Sequence, residues 1–177
     1  MAVRWFSAAG IACAFAVLVA SAAPARAADH HIDYLALQAG AYDIGAFDGG
    51  NKLSAGFGLE YRAGFSVFYV HPFLGVMGTT DSVFYGYGGI LIDIPIGGGF
   101  YFTPSGALGG YNRGDGQNLG YPLEFRTGLE LTYRFEHDTR LGVMFHHISN
   151  ASLGGSNPGS ESVFVTFAYP LKSLFGN

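Results

Sequence analysis

The chain has 177 residues, 16% of them aromatic, 12% charged and 28 of them glycine, with a formal charge of −4. An acidic balance argues against a nucleic-acid partner, and one cysteine excludes a disulfide framework within the chain. Many aromatics beside few charges suit an ordinary soluble domain poorly and leave two architectures, a soluble β-sandwich or a membrane β-barrel.

The first element is a leader. Arg4 supplies a small positive region, residues 8–20 form an almost unbroken apolar run, and Ala25-Arg26-Ala27 is a small-x-small cleavage signal. The run is too short to cross a bilayer as a helix. The pattern predicts a secretory signal peptide over 1–27 and one mature domain over 28–177. Cys13 leaves with the leader, so the mature domain has no thiol nucleophile, and its seven basic and thirteen acidic residues give −6. His30 and His31 sit beside the cleavage site and read as terminus. Beyond the leader no stretch is long enough for a transmembrane helix.

Eight segments with period-two alternation follow, near 33–44, 52–62, 66–78, 82–94, 98–108, 119–135, 138–150 and 160–171. In the second, Leu53, Ala55, Phe57, Leu59 and Tyr61 alternate with Ser54, Gly56, Gly58, Glu60 and Arg62. In the sixth, Tyr121, Leu123, Phe125, Leu129, Leu131, Tyr133 and Phe135 share one face, and Glu124, Arg126, Glu130 and Arg134 the other. Alternation alone suits a sandwich as well. The length of the segments, their aromatic ends and their even number favour an all-β, eight-stranded antiparallel transmembrane β-barrel. Closing the sheet pairs every backbone group, as hydrocarbon requires. Glu124, Arg126, Glu130 and Arg134 are then expected to pair with Glu60 and Arg62 in the lumen. The connections after even-numbered strands read as short and most of those after odd-numbered ones as longer, notably 109–118 and 151–159, with Thr79-Thr80-Asp81 an exception. This puts the long loops outside the cell. The glycine-rich stretches 94–99 and 109–118 read as turns. Phe175 is the candidate for the aromatic that commonly ends such a barrel.

The seventh strand breaks its own pattern. Leu141, Val143 and Phe145 form its lipid-facing row, and His147 and Ser149 continue that row. Glu161 begins the corresponding row of the eighth strand, ahead of Val163, Val165, Phe167 and Tyr169. The hairpin brings the three to one height, an imidazole between a hydroxyl and a carboxylate, as acyl hydrolysis requires. Histidine and serine also occur as ordinary girdle residues, and barrel rims often carry glutamate. Three polar groups on a face that should be apolar nevertheless ask for a reason. His146, of opposite parity, is expected inside as a hydrogen-bonder.

His147-Ile148-Ser149-Asn150-Ala151, followed by Asn157-Pro158-Gly159 and Glu161, resembles the active-site hairpin of the PagL family of lipid A 3-O-deacylases. His71 to Gly75, Gly86 to Ile90 and Leu123 to Arg126 are similar to that family too, so the likeness runs over roughly residues 65–171. The resemblance implies an outer-membrane barrel that removes the 3-hydroxyacyl chain ester-linked at position 3 of lipid A. It implies Ser149 as nucleophile, His147 as base and Glu161 as orienting acid. It also implies Asn150, Ala151 and Asn157 as the neighbourhood holding the oxyanion, although Asn157 equally suits a turn before Pro158.

No nucleophile elbow, phosphate-binding loop or zinc-ligand spacing is present, and Asp81, Asp115 and Glu161 are too dispersed for calcium, so no cofactor or metal is expected. The expected partners are the outer membrane and lipid A or lipopolysaccharide, with a homodimer left open. Phe145, Val143 and Val163 are placed to line an acyl groove, and Arg113 is either a contact for a lipid phosphate or a solvated loop charge. Competing readings are a non-catalytic barrel for adhesion or envelope structure, and a lipid acyltransferase or phospholipase.

Overall fold

The computed structural model describes residues 32–46 and 52–171. The predicted leader, the His30-His31 pair and Phe175 lie outside the described residues. Nine strands run in chain order: β1 (Tyr34–Tyr42), β2 (Ser54–Arg62), β3 (His71–Thr79), β4 (Phe84–Leu91), β5 (Ile94–Gly97), β6 (Phe100–Asn112), β7 (Leu123–Arg134), β8 (Arg140–Ser149) and β9 (Ser160–Pro170). Every neighbouring pair is antiparallel, β1 pairs with both β2 and β9, and β4 pairs with β6. The sheet therefore closes on itself.

β4 and β5 are two halves of one stave interrupted at Ile92 and Asp93. Leu91 pairs with Ser105, Ile92 N–H donates to Pro104 O at 3.1 Å, and Ile94 pairs with Phe102. The cylinder thus has eight staves. Stepping from Phe100 across successive partners returns to β6 at Gly110, a stagger of ten residues. Eight staves leave an interior just wide enough for side chains to fill.

Alternation fills it. Along β7, Glu124, Arg126, Glu130 and Thr132 are buried, whereas Phe125, Leu129 and Leu131 face outward. The outer wall carries Leu37, Phe57, Leu74, Val76, Leu108, Val143 and Val165, an apolar belt that only lipid would cover without cost. Tyr61, Tyr133, Phe135 and Phe100 edge that belt, with Tyr133 packed edge-on against both phenylalanines.

Inside, Arg62 donates bidentately to Glu130 (2.8 Å twice) and through Nε to Glu60 (3.0 Å). Arg126 donates to the other Glu60 oxygen at 2.7 Å and lies over the Tyr87 ring, whose hydroxyl also reaches Glu60. The expected lumenal pairing therefore holds for Glu60, Arg62, Arg126 and Glu130. It does not hold for the remaining two. Glu124 is fully buried, with neither carboxylate oxygen hydrogen-bonded among the described residues, and Arg134 meets Asp138 at 3.9 Å near a turn. The stagger of the staves moves residues on one strand face to different heights in the lumen. His146 also departs from expectation: it points inward and is fully buried, but packs edge-on against Phe164 with both ring nitrogens lacking a hydrogen-bond partner among the described residues.

Three boundaries shift. The third strand starts at His71 rather than 66, because Val67 and Val70 close a separate tight turn through Phe68 and Tyr69. β6 runs on to Asn112 and β7 begins at Leu123, so the long loop is 113–122 rather than 109–118. Residues 113–122 share one end of the barrel, the loop end, with 43–46, 52–53, 80–83 and 150–159. The opposite, turn end is sealed in part by Asp93, which accepts from Arg140 and Thr103, with Arg140 sandwiched between the Tyr34 and Tyr101 rings.

Candidate active site

β8 and β9 form the hairpin that carries the three groups, and their register sets His147 directly opposite Glu161. Both belong to the outward row, since Met144, His146 and Ile148 fill the interior. Glu161 Oε1 lies 2.8 Å from His147 Nδ1. An ionised carboxylate can only accept, so Nδ1 carries the proton and Nε2 is left as the basic nitrogen. Ser149 stands two residues along the same face, half-buried, at the last paired position of β8 with β7. Side chains two apart on a strand are same-face neighbours, and the hydroxyl is thereby held on the imidazole side of the wall.

The loop after Ser149 is built with equal definition. Ala151 and Ser152 both adopt left-handed backbone angles (φ 52° and 66°), and Leu153 N–H donates to Asn150 O at 3.0 Å, making a tight turn. Two successive non-glycine residues in that region store strain and turn the chain sharply beside the hydroxyl. Asn150 itself is fully buried. Its Nδ2 donates to Leu119 O (2.6 Å) and Ser156 O (2.8 Å), while its backbone N–H donates to Asn157 Oδ1 (2.9 Å). One side chain thus ties loop 113–122 to loop 150–159. These bonds could not be read from the sequence, because Leu119 is 31 residues away.

Glu161 is buried although its parity faces it outward, whereas the imidazole of His147 is part-exposed, at 32%. Ile44 N–H donates to Glu161 O at 2.9 Å, fixing the strand end that carries the carboxylate. Burial of Glu161 keeps its hydrogen bond to His147 out of competition with water.

Gly159 explains the Asn-Pro-Gly run. Its φ of +76° suits glycine, and a Cβ there would lie 2.7 Å from His147 Cε1. Gly159→Ala is therefore expected to push the imidazole off Glu161 and strain the backbone. Activity should fall at least about tenfold with the barrel still folded, as expected of a small misplacement of a reacting group. An unchanged rate would show that the ring tolerates the extra methyl.

A closed eight-stave antiparallel barrel with an apolar outer belt defines an outer-membrane β-barrel. The model of the lipid A 3-O-deacylase family, PagL, matches residues 26–170, and the chain belongs to that family. The crystal structure of the outer membrane enzyme PagL superposes with a TM-score of 0.58 at 18% identity, covering 77% of this chain and 99% of that one. A de novo designed transmembrane β-barrel superposes with the same TM-score at 11% identity, covering 79% and 95%. Likeness at these identities speaks for the fold alone. No curated protein sequence matches the chain.

Proposed function

We propose that this barrel hydrolyses the ester-linked 3-hydroxyacyl chain at position 3 of lipid A in the outer leaflet, with a Ser149-His147-Glu161 triad. The observation that carries the reading is the 2.8 Å His147–Glu161 contact on the lipid-facing wall, with a serine two residues along. In this scheme Ser149 Oγ attacks the ester carbonyl and its proton passes to His147 Nε2. The tetrahedral intermediate collapses, the sugar oxygen takes that proton back, and the acyl group stays on Ser149. A water molecule, deprotonated by the same imidazole, then releases the hydroxy acid.

The neighbourhood assigned to the oxyanion divides. Asn150 has its N–H and both Nδ2 hydrogens committed to protein acceptors, so it acts as the clamp that holds the loop. The Ala151 N–H and Asn157 Nδ2 are the groups we assign to the developing negative charge, Asn157 being set by its Oδ1 bond to Asn150. Phe145 and Val163 are register partners just below the His147–Glu161 pair, and Val143 continues the row. They give the acyl chain an apolar track that is continuous with the membrane. All of these groups come from one hairpin of one chain, so the reading needs no second copy.

Purified barrel in detergent, mixed with lipid A, is expected to release a 3-hydroxy fatty acid, with the matching mass loss on the lipid by mass spectrometry. Release from phospholipid instead would make the protein a phospholipase, and no release would favour a structural barrel. Glu161→Gln is expected to lower the rate about 10²- to 10⁴-fold, less than loss of the nucleophile, because an orienting group acts through the base. A Glu161→Ala variant with the full rate would remove the carboxylate from the mechanism.

A further inference from the structure

We infer that the loop 113–122 forms a groove for the phosphorylated sugar headgroup of the substrate, with Arg113 as its phosphate ligand. This rests on the deacylase reading and adds the site where the polar end of the lipid is held. A cavity of about 220 Å³ opens at the loop end of β6 and β7, lined by Tyr111, Arg113, Asn118, Gly120, Tyr121 and Pro122.

The loop is built rather than slack. Tyr111 Oη donates to Gln117 O at 2.8 Å and meets Tyr42 Oη at 3.0 Å within the barrel. Asn112 and Asn118 each accept from a glycine N–H two residues on, Asp115 N–H donates to Asp81 O, and Lys52 Nζ donates to Asp115 O. A groove held by bonds from four directions is preorganised, so a ligand need not order it.

It also adjoins the reaction centre. Leu119 O accepts from Asn150, the residue after the nucleophile. Gly120 (φ +93°) packs so closely on loop 150–159 that a Cβ would lie 2.2 Å from Ser156 O. The height is right for a lipid. Ser149 pairs with Phe125, and Pro122 and Tyr121 lie three and four residues nearer the loop end, about 10–13 Å along the strand. An ester with its acyl chain on the wall below Ser149 carries its sugar upward to that level.

Charge completes the case. Among the described residues the loop-end connections contain two cations, Lys52 and Arg113, against three aspartates, Asp43, Asp81 and Asp115. Lys52 already serves a backbone carbonyl, whereas Arg113 is exposed at the groove. Asp115 shares the loop with Arg113, and the guanidinium of Arg113 offers a planar fork suited to two phosphate oxygens. Tyr121, half-exposed, presents an aromatic face beside a polar edge, as a sugar ring would use.

The test uses two measurements on the whole chain. Calorimetric titration of the Ser149→Ala barrel with a water-soluble, phosphorylated glucosamine disaccharide reads the groove without catalysis. Arg113→Ala in that background should weaken binding about tenfold or more, and Arg113→Lys should restore part of it. In the active protein, Arg113→Ala should raise KM for phosphorylated lipid A by a similar factor, with kcat within about twofold, and leave the phosphate-free lipid unaffected. Unchanged disaccharide binding, or an equal loss on both lipids, overturns the groove. So does displacement of the disaccharide by an equal concentration of inorganic phosphate, which would mark a site for free phosphate only. Binding that persists in a protein inactive on either lipid supports the groove and overturns the deacylase reading instead.

Discussion

Ser149→Ala is expected to stop acyl release while the barrel stays folded. The hydroxyl sits on the outer wall and contributes nothing to lumen packing, so its loss should leave assembly and the shift of folded barrel on unheated gels unchanged. The rate should fall at least about 10⁴-fold, as removal of a nucleophile does in other triads. His147→Ala should cost a comparable factor, and the double variant little more, because the two groups act as one unit. Substantial turnover by folded Ser149→Ala, followed by mass spectrometry of lipid A, would take this serine out of the chemistry and leave the hairpin's polar cluster without a role.

The second large effect is on stability. Glu60 is fully buried and serves Arg62, Arg126 and the Tyr87 hydroxyl at once. Among the described residues, Glu60→Ala leaves Arg126 its contacts to the Phe73 and Tyr87 rings and strips Arg62 of one of two carboxylates. Removing one partner from such a cluster costs about 3–5 kcal/mol, since a buried cation is left uncompensated. Urea unfolding in lipid vesicles should show this as a lowered midpoint. Replacing Glu60 and Arg126 together with methionine should cost much less, because no charge is then orphaned. If Glu60→Ala unfolds like the parent chain, water must reach the lumen and solvate the guanidinium groups.

Much of this architecture could be read from spacing. The alternation in residues 119–135 gave both the lumenal charges and the lipid-facing row, because a narrow barrel forces every second side chain inward. The same parity placed His147, Ser149 and Glu161 on one face, and the hairpin register made His147 and Glu161 partners. Spacing failed where pairing between distant staves decides. Gly109 and Gly110 look like a turn, yet both sit in β6, where the backbone ladder needs no side chain. Arg134 has the inward parity of Arg126 but lies near the turn end beside Asp138. Glu161 reads as outward and is buried, with its carboxylate on the neighbouring imidazole and its backbone carbonyl bonded by Ile44 just beyond β1. The role of Asn150 depends on the Leu119 carbonyl, and no local pattern announces such a bond.

The stave that carries Glu161 has a further consequence. Among the described residues it is the last strand, and its outer neighbour is the first: Ala41 lies opposite Val163 and Ile44 bonds the Glu161 carbonyl. A nascent chain whose seam is still open leaves that carboxylate on a free sheet edge, its backbone unpaired on one side. Shutting the cylinder thus completes the backbone support of the Glu161 strand end, whereas the His147–Glu161 pairing is internal to the β8–β9 hairpin.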